Sequence, residues 1–331
     1  RKPTEEFEGM AEAQYFEGDD SYGFTGYVSG PLGDNLSGRL VGKYNKSDGF
    51  MENLTTGGDE PETEETVVRG ALAWDASDRL KVDIKGEVSS YDVDGRHMQL
   101  VEGGPIRPLY EAVDPRYEQR LDYKRSVNNP IFGADFDYTD AENLTATVNY
   151  DFDSIRLVSV TGYTGYEYEN NIPANFAANI ETAAKRYEEE HSQFSQELRL
   201  ESMGDGSLDY IVGLYYQTEE IDHLQHFDFD TLQGIADGFP LPPFVGRSTF
   251  DLVQDTDSFA AFGQLTWHFT ERLRTSLGLR YTRDEKDLDF SRTTTGQLPF
   301  PTYSLKESRT ASDTTPSINL QYDLGDDTMV Y

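Results

Sequence analysis

Five histidines offer the most versatile chemistry in this chain: His97, His191, His223, His226 and His268. His223 and His226, followed by Asp228 and Asp230, have the side-chain types that hold a divalent metal. They fall in a stretch without helical register, so a polar loop without metal is the expectation. His268 sits on the polar parity of an alternating segment near a short turn, the position of a polar wall residue. Asp19-Asp20 and Asp323–Asp327 match calcium ligands only loosely, lack the spacing of a calcium loop, and read as turn acids. There are no cysteines, which excludes a disulfide scaffold, thiolate zinc sites and cysteine nucleophiles. No nucleophile-base-acid constellation can be assembled, so neither catalysis nor a cofactor is expected.

Aromatic residues are the second candidate chemistry. Tyr163, Tyr166 and Tyr168 crowd one segment and Tyr215 and Tyr216 another, while Phe239 and Phe244 flank Pro240, Pro242 and Pro243. The candidate ligand-binding set is Tyr163, Tyr166, Tyr168, Phe239 and Phe244, because flat apolar faces suit sugars, sterols and metal chelates alike. An interfacial girdle and loop packing explain the same residues without a ligand. Asn175–Arg186 is Ala-rich and reads as a short helix or a solvated loop. The sequons at Asn35, Asn45, Asn53 and Asn143 read as composition rather than glycosylation.

The formal net charge is −33, with 61 acidic and 28 basic side chains, which argues against a nucleic-acid partner. Acid gathers in Asp59–Glu65, Glu188–Glu190, Glu219–Asp222 and Asp228–Asp230. Solvated loops are the simplest reading of such runs. A cation-attracting vestibule, or carboxylates bridged by divalent ions to anionic lipid headgroups, is the alternative.

The elements that must position these residues are strands. Phe259, Ala261, Gly263, Leu265, Trp267 and Phe269 alternate with polar or small neighbours. After Thr270-Glu271-Arg272, Leu273, Thr275, Leu277, Leu279 and Tyr281 alternate again. Successive side chains of a strand point to opposite faces, so each such segment has one apolar and one wetter face. Copies recur along the chain and predict about twelve strands plus the start of a thirteenth at Thr328. One segment is ambiguous, because Val158 and Val160 contest the parity set by Ile155 and Leu157.

Short turn-rich connections (Gly33–Asn35, Asp75–Asp78, Asp151–Ser154, Gly204–Ser207, Thr270–Arg272, Gly325–Asp327) alternate with long ones. The long ones cover roughly Lys46–Thr66, Asp94–Glu142, Glu169–Glu190, Ile221–Thr256 and Asp284–Ala311, while Glu17–Asp20 is brief on the long side. In an antiparallel meander this puts all short turns at one end, the pattern of outer-membrane barrels. Trp74, Phe152, Trp267, Phe269 and Tyr322 sit beside the short turns, where an interfacial girdle belongs. The wet face carries Arg39, Lys43, Arg69, Lys81, Asp83, Lys85, Glu87, Glu197, Arg199 and Arg280, which cannot form a dry core and require water or a polar plug. No apolar run is long enough for a membrane helix, and no signal peptide precedes the first strand, so the chain reads as starting after processing or inside a longer protein.

Arg1-Lys2-Pro3-Thr4, Gly30–Leu40 with Ser47-Asp48-Gly49-Phe50, Arg69–Trp74, Ser195–Leu200, Phe259–Phe269 with Leu277–Thr282, and Pro316–Leu320 together resemble the barrel of TonB-dependent outer-membrane receptors. The resemblance implies an all-β, antiparallel up-and-down transmembrane barrel of about 22 strands, of which residues 1–331 supply 12–13. It places a plug domain and its TonB-contacting box before Arg1 and roughly nine strands after Tyr331. It further implies a bacterial outer-membrane location, with lipid, lipopolysaccharide, TonB and a small-molecule ligand as partners. The function expected is energised import of a scarce ligand: a siderophore-type iron complex, another small organic molecule or an oligosaccharide. A passive porin is the alternative within the fold, and a surface β-sandwich or adhesin the alternative outside it.

Overall fold

The computed structural model describes residues 1–96, 104–113, 122–125, 134–173, 183–204, 206–232, 243–325 and 328–331. Its strands are β1 (Glu8–Phe16), β2 (Ser21–Gly33), β3 (Leu36–Ser47), β4 (Met51–Asn53), β5 (Asp59–Glu60), β6 (Glu62–Ser77), β7 (Leu80–Asp94) and β8 (Lys124–Arg125). They continue as β9 (Phe136–Asp151), β10 (Ile155–Pro173), β11 (Ala183–Ser202), β12 (Leu208–Asp230), β13 (Val245–His268), β14 (Leu273–Gly296), β15 (Tyr303–Gly325) and β16 (Thr328–Val330). A short helix, α1 (Arg107–Val113), lies between β7 and β8.

Thirteen strands form one antiparallel sheet in the order β1-β2-β3-β6-β7-β9-β10-β11-β12-β13-β14-β15-β16. Every neighbour in the sheet is the next long strand in sequence, which is the up-and-down meander that the turn chemistry predicts. β4, β5 and β8 make a small separate sheet. It joins the β3–β6 connection to the β7–β9 connection, and Met51 is buried in it.

The register sorts every residue to one of two faces. Tyr210, Leu265, Leu277 and Ile318 are cross-strand neighbours on one face. Leu265 is 47 % exposed and Leu277 49 %, and the two tryptophans are equally open. Among the described residues, the buried hydrophobic side chains are only Met51, Val158, Ala184 and Ala260. A membrane-length sheet that leaves a band of large apolar side chains exposed on one face and buries almost none of them in a core has the pattern of a surface whose apolar solvent is lipid.

The opposite face is polar and internally paired. Arg69 lies directly opposite Glu87 and ion-pairs with it. Lys43 lies 2.8 Å from Glu65, and Arg199 lies 2.8 Å from Glu197. The residues before β1 run along this face: Lys2 Nζ is 2.7 Å from Asp83, and the Thr4 amide donates to Ser29 Oγ at 3.0 Å. The contested segment also resolves. Leu157 pairs with Tyr150 and Leu200 on the apolar face, whereas Val158 pairs with Asn149 and Arg199 on the polar one.

The strands are far longer than the alternation suggests. β13 and β14 have 24 residues each, and at ~3.3 Å per residue they reach ~80 Å, about twice what a bilayer requires. Among the described residues, most of what reads as long connections is therefore strand, Asp94–Glu142 excepted. Glu169–Pro173 and Ala183–Glu190 are paired ends of β10 and β11, and Ile221–Asp230 pairs with Val245–Gln254. The four acid runs lie largely in these extensions rather than in loops. Ala183–Arg186 opens β11 as strand, and residues 175–182 of the Ala-rich segment lie outside the described residues. Polar side chains on both faces erase the period-2 signal once a strand leaves the lipid, which is why alternation misses these ends.

Candidate functional site

The apolar band on β10 ends at Tyr163, and the next outward positions are Gly165, Glu167 and Glu169. What lies past this level on the polar face is therefore the long-connection end of the lumen. Alternation assigns Tyr166, Tyr168 and Asn170 of β10, Lys185, Tyr187, Glu189 and His191 of β11, and His223 and Phe227 of β12 to that face.

Glu189 is the hub of the first cluster. Tyr166 donates its hydroxyl to Glu189 Oε1 at 2.6 Å, and His223 Nδ1 lies 2.8 Å from Oε2. The Tyr166 ring stacks on His191 at 4.8 Å, and Tyr187 meets His223 edge-on at 5.5 Å. Burial pushes the Glu189 carboxyl up, but the hydrogen bonds from Tyr166 and His223 outweigh it and hold the group below the usual carboxylate range. Tyr168 donates to Asp137 at 3.1 Å, and Asn170 Nδ2 reaches the same oxygen at 2.9 Å. Burial, reinforced by the Asp137 charge, pushes the Tyr168 hydroxyl up to about 12.

The second cluster is an aromatic wall on the outer ends of β12–β15 and the turn that joins β14 to β15. Ring centroids run from Phe229 to Phe227 (6.4 Å), Phe250 (5.8 Å), Phe290 (6.3 Å) and Tyr303 (5.6 Å), while Phe300 lies 5.9 Å from Phe229. Two cations lie on it. The Arg292 guanidinium sits 5.0 Å from the Phe250 ring centre and 4.7 Å from that of Phe300. Lys185 Nζ sits 3.9 Å from Tyr187 and 5.5 Å from Phe227. Together these groups offer flat apolar surface with positive charge at its edge.

The sequence candidates divide between the faces. Tyr166 and Tyr168 lie on the lumen side. Tyr163 lies on the outer side, its hydroxyl 3.1 Å from Glu142, in a groove of about 510 Å³ lined by Glu142, Glu167, Glu190 and Glu220. Phe244 is half-buried and closes the β12–β13 end, its amide donating to Thr231 Oγ1 at 2.7 Å. Phe239 lies outside the described residues. His223 and His226 cannot share a metal, because a spacing of three on a strand puts the rings on opposite faces: His223 meets Glu189, while His226 Nδ1 lies 3.0 Å from Thr249. His268 lies on the polar face, 2.8 Å from Asp209. Alternation alone does not reveal Phe250, Phe290, Phe300 and Tyr303, which only the β12–β15 register brings together. The run Phe227-Asp228-Phe229-Asp230 is the one local signal of that wall.

The family model of the TonB dependent receptor-like β-barrel matches residues 74–331. The chain belongs to this family. Its sheet superposes on the ferric yersiniabactin uptake receptor FyuA from Yersinia pestis with a TM-score of 0.76 at 18 % identity, covering 99 % of this chain and 46 % of that one. The ferric-catecholate import receptor Fiu from E. coli K12 matches with a TM-score of 0.66 at 13 % identity, over 98 % of this chain and 54 % of that one. The ferripyoverdine receptor of the outer membrane of Pseudomonas aeruginosa gives 0.62 at 19 % identity, over 98 % and 41 %. This TonB-dependent receptor chain thus spans about half the length of the structures it matches, and what they share with it is the fold. The family is one of transport receptors in the outer membrane. In that frame the apolar face is the lipid side, the short turns are periplasmic, and the aromatic wall lies at the extracellular end of the lumen.

Proposed function

We propose that this chain is part of the barrel of an active importer, which captures a scarce small molecule from outside the cell and delivers it to the periplasm with energy from TonB. The observation that carries the reading is the lumen-facing aromatic wall with Lys185 and Arg292 at the outer end of the strands. A passive porin needs a charged lumen but no such wall, because diffusion does not require a held ligand. The run of residues 1–4 along the lumen side, anchored to Asp83 and Ser29, supports a plug domain housed inside the barrel. Such a plug would close the lumen at rest and contact TonB.

The test is growth and uptake in a deletion strain under iron limitation and under glycan limitation. A receptor for iron complexes matters only in the first condition, and a glycan importer only in the second. A strain unimpaired in both contradicts import of iron complexes and of glycans and weakens the active-import reading.

A further inference from the structure

We propose that a pit in the lipid-facing surface of β3, β6, β7 and β9 holds one acyl chain of a phospholipid from the periplasmic leaflet. Such a site is independent of what the lumen carries and follows from the lipid side of the sheet.

One outward row crosses five strands as Val28, Leu40, Gly70, Gly86 and Leu144. Two neighbouring positions in it carry no side chain. The next outward row toward the short turns includes Gly38, Leu72 and Ile84. Between them lies an apolar pit of about 500 Å³. Gly70 and Gly86 are its floor, Leu40 and Leu144 its side walls, and Leu72 and Ile84 line its short-turn side. It runs past Gly38 to Phe7 and Leu32, beside the turn that joins β2 to β3, and so lies in the periplasmic half of the band.

The protein itself accounts for only some of these glycines. A Cβ at Gly38 would lie 2.6 Å from Leu32 Cδ1, and one at Gly30 would lie 3.0 Å from Phe7 Cα, so both make room for the chain beside them. At Gly70, among the described residues, a Cβ would meet no atom within 4 Å beyond the chain neighbours. At Gly86 the nearest is Leu144 Cδ1, at 3.8 Å. Neither glycine has a positive φ. Glycine inside a strand gives up packing and costs backbone entropy, and where neither sterics nor conformation requires it, it marks the close approach of an outside group.

The surroundings define that group. The walls are hydrocarbon, so the pit does not hold water. Gly70 and Gly86 lie on the fourth and fifth strands of the sheet, so a strand pairing with β1 would not cover them. Leu40 is 54 % exposed and Leu144 49 %, and both stand above the floor. Sheets packed face to face keep ~10 Å between them, so the flat wall of a second copy would leave the floor empty. The pit is continuous with the lipid-facing band, and a hydrocarbon chain is thin enough to enter it. Lying on the glycines, the chain touches the floor and both walls, and gains dispersion contacts that a chain on the rest of the band lacks.

The experiment uses the full-length receptor in detergent, stripped of loosely held lipid by repeated detergent exchange and read by native mass spectrometry. The wild type should retain one phospholipid per receptor, and 1-palmitoyl-2-oleoyl-phosphatidylethanolamine should restore it one to one after complete delipidation. Gly70→Leu and Gly86→Leu, which fill the floor, should each lower the retained lipid fivefold or more. The double variant Gly70→Ala with Gly86→Ala adds only methyl groups that the open space admits. It should lower retention twofold or more, which keeps the test decisive if leucine impairs folding. Leu277→Ile, in the band but outside the pit, should change nothing. Heat-modifiable migration on gels verifies that each variant is folded. No retained lipid, lipopolysaccharide retained in its place, a receptor dimer that the filled variants dissociate, or equal retention by the wild type and the folded variants overturns the site.

Discussion

At the residue scale, the hydrogen bonds at the outer end of the lumen have titration consequences. Tyr168 is held neutral beyond the usual range, at about 12, by burial and by Asp137. Its stabilising contribution is complete below the ordinary tyrosine pKa of ~10 and is lost as pH rises through the folded value. Alkaline titration at the phenolate absorbance should show a late-ionising group of tyrosines, with Tyr138 and Tyr166 also raised to about 12; Tyr168→Phe should take one tyrosine from it and Asp137→Asn should move one to lower pH. Glu189 behaves in the opposite sense. Its depressed pKa contributes stability that is present above the ordinary carboxylate value of ~4.3 and lost as pH falls through the folded one. Melting of the full-length receptor between neutral and acid pH should therefore fall less steeply in Glu189→Gln than in the wild type. The mutant should also melt lower at neutral pH, because the Tyr166 and His223 hydrogen bonds lose their charged acceptor.

At the element scale, parity decides what a substitution does. Leu277 faces lipid midway along the apolar band of β14, and Ser276 beside it faces the lumen, its Oγ 2.8 Å from Thr266. Leu277→Lys should cost ~2–4 kcal/mol of folding stability in liposomes, measured by denaturant titration, and Ser276→Lys far less. This part of the fold is legible in the sequence. Leu273, Thr275, Leu277, Leu279 and Tyr281 announce a strand because lipid demands an apolar residue at every second position. The outer ends are not legible in the same way. Beyond Tyr281 the chain reads Arg283, Glu285 and Asp287 on the lipid parity, water bathes both faces, and nothing in composition separates strand from loop. The site lies in that illegible part. Tyr166 and Tyr168 stand out because they are close in sequence, and Tyr163, one of the same cluster, falls on the wrong side of the wall because its parity differs. Phe250, Phe290 and Tyr303 become neighbours only through register, which is fixed by hairpins tens of residues away.

At the scale of the whole molecule, one thirteen-stranded sheet has an apolar face and a polar face and carries its aromatic wall beyond the apolar band. If the lumen is plugged and import is driven, the full-length receptor reconstituted in planar bilayers should show no stable open conductance. Ligand uptake by cells should also collapse with a proton-motive uncoupler. A porin would conduct and be indifferent to the uncoupler. The claim beneath all of these is the assignment of faces, and because residues 1–331 contain no cysteine, this stretch of wall adds no labelling of its own. Single cysteines placed from Leu273 to Leu288 of the full-length receptor, treated with a small hydrophilic maleimide on open outer-membrane fragments through the apolar band and on intact cells beyond it, should react with a period of two through that band. Ser276 and Thr282 should label and Leu277 and Leu279 should not, whereas beyond the band Asp287 and Leu288 should both label. Equal labelling of Ser276 and Leu277, or protection of both Asp287 and Leu288, would contradict a wall with lipid on one side, a watery lumen on the other and its outer end outside the cell.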